Sequence, residues 1–197
     1  MFIDGRTVPQ STVIETDIAI IGAGAAGITL ARELRDSRRE VTLRSNFGVP
    51  THAGSFAAGS SLQEVHWSTP AHGRYFCLEA INAQDGKPSA AVAEITLLDE
   101  SGQSLSMEGW TIAYVDSEER EHEDGTAENA IDGQTANFWH TQWGAAQPGY
   151  PHRLILDLGG QSRTVAGFRY TPRQGAADVT GRIKDYRVYV ADDLIKD

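Results

Sequence analysis

Three groups of residues have the types and spacing to do chemistry. The first is Gly22-Ala23-Gly24-Ala25-Ala26-Gly27, a G-x-G-x-x-G run between a strand-like and a helix-like segment. In such a run the first glycine makes the turn, the second lets a pyrophosphate approach, and the third permits tight helix packing. The second is Asp132-Gly133-Gln134-Thr135-Ala136-Asn137. This compact turn offers the oxygens a hard cation such as calcium requires, and its plainer reading is an ordinary Asp-Gly turn. The third is His140, Trp143 and Arg173, placed on loops after strand-like runs. An aromatic face stacks on the apolar C–H patch of a pyranose, while Arg and His hydrogen-bond its hydroxyls. The alternative for His140 and Arg173 is a loop-bracing ion pair with Glu or Asp.

Motifs for catalysis are missing from the sequence. It has no G-x-S-x-G, H-E-x-x-H or C-x-x-C, and His52, His66, His72, His122 and His152 lack zinc spacing. The acidic stretch Asp116 to Asp124 raises the question of a paired-carboxylate glycosidase, but Ser117 to Thr126 reads as a solvated loop. Cys77, alternating with apolar neighbours, reads as a buried, inert thiol.

The elements that must position these groups change character near residue 45. Before it, Ile18 to Ile21 is a continuous apolar run suited to a buried parallel strand, and Ala26, Leu30 and Leu34 mark one face of a helix. Val41 to Leu43 would be the second strand of this βαβ unit. After it, extended runs alternate with turns. The spacing predicts strands at Arg74 to Ile81, Val92 to Leu98, Trp110 to Val115, Arg153 to Leu158, Thr164 to Tyr170 and Asp185 to Ala191. Asp85-Gly86, Ser101-Gly102, Asp132-Gly133 and Gly159-Gly160 supply turns. So many short strands suit two sheets sharing a core, with Trp139 and Phe138 plugging it and Trp110 lying within a strand.

Composition narrows the partners. The chain has 197 residues, 40% of them apolar, enough for one good-sized domain or a domain with an appendage. With 17 Lys and Arg against 27 Asp and Glu, the net charge of −10 repels phosphate backbones and argues against nucleic acid. Ile18 to Ala31 is too short to span a membrane, and no secretion signal is legible at the N-terminus, so localisation stays open.

Residues Met1 to Leu34, with Asp17-Ile-Ala-Ile-Ile-Gly-Ala-Gly-Ala-Ala-Gly27 at their centre, resemble the start of glucose-methanol-choline oxidoreductases, which bind FAD at the equivalents of Gly22, Gly24 and Gly27. Two departures count against FAD here. Arg44 follows the second strand where an acidic ribose partner is needed, and the chain changes character after residue 45. The unit reads as a truncated dinucleotide-binding fragment over residues 1–45, with an FAD-dependent oxidoreductase fragment as the alternative.

Tyr114 to Glu119, Ala127 to Gln134, Asn137 to Trp143, His152 to Gly159, Gly167 to Gln174 and Gly181 to Tyr189 resemble, in order, the discoidin family, or coagulation factor V/VIII type C domain. The bacterial sugar-binding branch of that family is the family-32 carbohydrate-binding modules. The resemblance implies a mainly β, galactose-binding-like jelly-roll sandwich over residues 46–197, non-catalytic and attached to a glycan-active, usually secreted, enzyme. Asn46 to Pro50, Gly73 to Ala80 and Ala93 to Ile95 resemble the C-terminal part of the same domain yet come first. One sandwich in permuted order is therefore expected, against the alternative of two modules of a tandem array. The resemblance further implies a galactose-type ligand on His140, Arg173 and Trp143, with Glu118 or Glu119 adding an acceptor. It also implies a structural calcium on Asp132, Asn137, Asn129, Gln134, Glu94 and the Ala93 carbonyl. A protein-binding discoidin domain is the third reading.

Overall fold

The computed structural model describes residues 18–21, 41–44, 49–175 and 180–194. They fall into two compact units, one holding strands β1 and β2 and the other spanning Thr51–Leu194. In the first, β1 (Ile18–Ile21) pairs in parallel with β2 (Val41–Arg44), Ile18 opposite Val41. The expected helix and Gly22, Gly24 and Gly27 lie outside the described residues.

The second unit is mainly β, and its strand pairings are antiparallel. Its strands are β3 (His52–Ser55), β4 (Gln63–Gly73), β5 (Tyr75–Ala80), β6 (Ala91–Val92), β7 (Glu94–Leu98), β8 (Thr111–Val115), β9 (Trp139–His140), β10 (His152–Asp157), β11 (Arg163–Thr171) and β12 (Asp185–Ala191). One sheet runs β3-β12-β5-β10-β8, a second runs β4-β11-β7, and β6 pairs with β9. Strands from before residue 99 thus pair with strands from after residue 110, and both segments complete one sandwich of the galactose-binding-like type.

The core lies between the sheets because alternate positions of each strand are apolar. Phe76, Leu78 and Ala80 of β5, Leu154 and Leu156 of β10, and Val188 of β12 meet Ile95 and Leu97 of β7 and Val165, Phe168 and Tyr170 of β11. Each large side chain so buried contributes roughly 1.5–3 kcal/mol. Phe56 stacks between Tyr170 and Tyr186, with ring centroids 4.3 and 4.1 Å away. On the opposite face of β5, Glu79 is buried and accepts from Arg153 Nε at 3.0 Å, Arg187 at 3.2 Å and the Tyr189 hydroxyl at 3.2 Å. Those partners sit beside it on β10 and β12, so an otherwise costly buried charge is satisfied across the sheet. Cys77, next to it in sequence, is buried as expected, and burial pushes its thiol pKa well up.

Several expectations are corrected. The run Val92 to Leu98 is not one strand: Val92 pairs with Trp139, then the chain crosses at Ala93, whose N–H donates to Thr171 O, to join β11. Trp110 precedes β8 instead of lying within it, capping the core from a turn closed by its N–H to Met107 O. Trp139 does plug the core, but Phe138 is only half-buried. The long edge strand β4 was not anticipated.

Candidate functional site

A cleft of about 500 Å³ is lined by residues from four loops and one short strand. Lys87 and Ser89 come from the β5–β6 loop, Glu123 from the β8–β9 loop, Trp143 from the β9–β10 loop and Arg173 from the β11–β12 loop, with His140 on β9. The register of β9 against β6, His140 opposite Ala91, fixes the imidazole from a buried backbone. The structure brings His140, Trp143 and Arg173 to one cleft, but His140 is a buried residue of β9 and not of a loop.

His140 and Trp143 line the cleft, and two further rings pack against them. His140 and Trp143 have ring centroids 6.4 Å apart, Phe138 stands edge-on to His140 at 5.9 Å, and His122 lies 5.1 Å from Trp143. The Arg173 guanidinium carbon lies over the Phe138 ring, 4.2 Å from its centroid, a cation–π contact. Behind it, buried Arg182 donates through Nε to Arg173 O at 2.9 Å, bracing the β11–β12 loop. Trp143 is 36% exposed, which leaves an indole face open to solvent.

The acceptor of this cleft is Glu123, which sequence reasoning missed. Its Oε1 accepts from Trp143 Nε1 at 2.8 Å and from His140 Nδ1 in a short hydrogen bond. Glu119, expected to supply the acceptor, does not face the cleft. Its side chain is fully buried, and its two oxygens accept from the backbone N–H groups of Glu121, His122, Trp143 and Gly144 and from His122 Nδ1. These donors, the Trp143 amide foremost, hold its carboxyl far below the usual carboxylate range against the opposing effect of burial. In the stretch Ser117 to Thr126, Arg120, Glu121, His122 and Asp124 are exposed, as expected of a solvated loop, but Glu119 and Gly125 are buried and bridged to each other, and Glu123 lines the cleft.

At a second corner the structure gathers the oxygen-rich residues. The Asp132-Gly133 turn closes with Gln134 N–H donating to Asp132 Oδ1 at 2.8 Å, and Gly133 takes a positive φ of 79°, which glycine adopts without strain. Asp132 Oδ2 accepts from Gln134 Nε2 at 3.1 Å and Asn137 Nδ2 at 2.7 Å, and Asn137 Nδ2 also reaches Asn129 Oδ1 at 3.1 Å. Glu94, at the start of β7 after buried Ala93, accepts from Gly133 N–H at 3.1 Å. Burial, with the Asp132 charge adding to it, pushes the Glu94 carboxyl up to about 7 against the opposing Gly133 amide. Asn137 Oδ1 is buried without a hydrogen-bond partner. Among the described residues no group of three or more His, Cys, Asp or Glu could hold a metal. This corner offers the carboxylates of Asp132 and Glu94 with the amide oxygens of Asn129, Gln134 and Asn137. That donor set suits calcium and not zinc.

Among the described residues no helix is long and apolar enough to cross a membrane. Residues 113–196 match the F5/8 type C domain family. The chain is also 42% identical over 121 residues to a sialidase of Micromonospora viridifaciens, an alignment that covers 60% of this chain and 17% of the sialidase. Residues 113–196 thus carry the F5/8 type C, or discoidin, match, and the antiparallel sheets they enter are consistent with a galactose-binding-like sandwich.

Proposed function

We propose that the sandwich is a non-catalytic carbohydrate-binding module that holds a galactose-type sugar in the cleft of Glu123, His140, Trp143 and Arg173. The observation that carries this reading is the exposed indole of Trp143 standing beside one carboxylate, one imidazole and one guanidinium in a single cleft. The indole face takes the apolar side of a pyranose, and the polar groups hydrogen-bond its hydroxyls from the side. Glu123 aligns the platform by accepting from both the indole and the imidazole, which leaves its second oxygen for a sugar hydroxyl. Such an open site buries little area and keeps its polar groups wet, so one sugar binds weakly and avidity comes from a linked module or enzyme. The similarity to a sialidase supports attachment to a glycan-active enzyme.

The second corner fits a structural calcium. Asp132, Glu94, Asn137, Asn129, Gln134 and the Ala93 carbonyl would hold it, and the orphaned Asn137 oxygen and the raised Glu94 carboxyl are what a cation would satisfy. Bound there, the ion supplies charge neutralisation that ties the turn to β7.

Calorimetric titration of the full chain with galactose, glucose and FAD, with calcium or with EDTA, tests the reading. Galactose should bind in the millimolar to micromolar range and FAD should not. Heat from FAD alone, with a flavin spectrum on the purified protein, would instead make the glycine-rich unit the functional part.

A further inference from the structure

We propose that Glu119 is the positioning residue of the cleft: its buried carboxylate ties the loop carrying Glu123 to the loop carrying Trp143, and so sets where the indole stands without touching a ligand. The inference rests on the reading of the cleft as a sugar site.

Five N–H groups converge on this one side chain. Trp143 and Gly144, at 3.0 and 2.9 Å, belong to the β9–β10 loop. Glu121 N–H at 2.9 Å and the backbone and ring N–H of His122, both at 3.2 Å, belong to the β8–β9 loop. The backbone of Glu119 reaches the third cleft residue as well. Its N–H donates to His140 O at 2.8 Å, its carbonyl accepts from Gly125 N–H at 2.9 Å, and Gly125 O accepts from His140 N–H at 3.1 Å. One residue is therefore bonded to the backbone of both His140 and Trp143 and lies four positions before Glu123.

The chemistry of that pocket demands a carboxylate. An ionised carboxylate only accepts, and both its oxygens are needed here, one by each loop. A glutamine would turn its NH2 toward backbone N–H donors of one loop, leaving buried donors facing donors and forcing that loop away. The fit is also tight at Gly144, where a Cβ would fall 2.2 Å from His122 Nδ1 and 3.2 Å from Glu119 Oε2. The backbone at 143–144 thus lies flat against the carboxylate and the imidazole. Because more than a third of the Trp143 surface is exposed, core packing alone does not fix the ring, and its backbone anchor decides its position.

The test uses the full chain, Glu119→Gln, the conservative Glu119→Asp, and Glu128→Gln as a control that removes an exposed carboxylate nearby. Galactose affinity is measured alongside amide hydrogen exchange at Trp143 and Gly144 without sugar. Glu119→Gln should keep a cooperative melting transition, bind galactose at least tenfold more weakly, and exchange both amides at least tenfold faster. Glu119→Asp should recover part of both, and Glu128→Gln should change neither. A folded Glu119→Gln with wild-type affinity, or with wild-type protection at Trp143 and Gly144, overturns the inference. Should Glu119→Gln fail to fold, unchanged affinity and protection in Glu119→Asp overturn it equally. If the wild type binds no galactose, the sugar reading falls, and the exchange rates alone decide whether Glu119 anchors this loop.

Discussion

Removing the Trp143 indole is the sharpest perturbation of the cleft, because the ring is accessible enough to be deleted without disturbing the core. At 36% exposure, and taking about 250 Å² for a large aromatic, roughly 90 Å² of the residue faces solvent. A pyranose covering about half of that area removes about 45 Å² of apolar surface from water, worth about 1.1 kcal/mol at about 25 cal/mol per Å². The specific attraction of the ring face adds about 0.5 kcal/mol. The sum, about 1.6 kcal/mol, corresponds to a loss of roughly tenfold to twentyfold in galactose affinity for Trp143→Ala. Trp143→Phe should fall between, since it keeps a platform but loses the Nε1 donor that meets Glu123 at 2.8 Å. An exposed substitution costs the fold about 0.5 kcal/mol or less, so the melting temperature should move by only about 1–2 °C. Calorimetric titration with galactose, together with melting curves, separates binding from folding. A folded Trp143→Ala whose dissociation constant equals the wild type would refute the stacking argument.

Phe138→Leu should weaken galactose binding several-fold although Phe138 is not offered as a ligand residue, because it removes the ring under the Arg173 guanidinium; the same titration reads it. Calcium at a hundredfold excess over its dissociation constant should stabilise the sandwich by about 2.7 kcal/mol, or about 5–11 °C in melting temperature, and Glu94→Gln should erase most of that response in a thermal-shift comparison with EDTA. The Arg74 side chain, bonded to Asp157 at 2.6 Å, holds the Asp157 carboxyl below the usual carboxylate range. The stability from that depressed carboxyl is whole above the ordinary Asp range, near pH 4, and is lost as pH falls below it; Asp157→Asn should flatten this part of the acid limb in urea melts recorded at stepped pH.

The strands legible in the sequence were those whose two faces differ or whose run is apolar throughout. β5, β10, β11 and β12 lie in central or doubly paired positions, so their residues read as Phe76-Cys-Leu78, Leu154-Ile-Leu156 and Val188-Tyr-Val190. β4 was not legible because it is an edge. Only Val65 and Trp67 pack inward, and His66, His72 and Pro70 give Gln63–Gly73 the look of a loop. In the cleft, Trp143 and Arg173 were legible as an indole and a guanidinium on loops, whereas His140, read as a loop residue, lies buried on β9 and pairs with Glu123. Glu119 and Glu123 were not legible. Six carboxylates stand from Asp116 to Asp124, and nothing in their spacing tells a buried acceptor from a solvated one. The difference is made by which backbone amides fold over each, and that depends on Trp143 and Gly144, some twenty residues away.

The order of segments has a physical consequence for the site. The segment from residue 113 to 196 carries the cleft residues Glu123, His140, Trp143 and Arg173, yet it lacks the middle of its own sheet. β10 and β12 do not pair with each other; β5 lies between them, and β11 takes β7 on one side and β4 on the other. The cleft wall at Lys87 and Ser89 and the carboxylate Glu94 beside the Asp132-Gly133 turn come from the same upstream segment. Residues 51–98 are therefore as much part of the binding unit as the matched domain. A sandwich is indifferent to where its chain begins, provided that every inner strand finds two neighbours and every apolar face a partner. Here the segments before residue 99 meet both conditions, because Phe76, Leu78 and Leu97 enter one core with Leu154, Phe168 and Val188. The loops that shape the cleft, at 81–90, 116–138, 141–151 and 172–184, each join strands of this one sandwich.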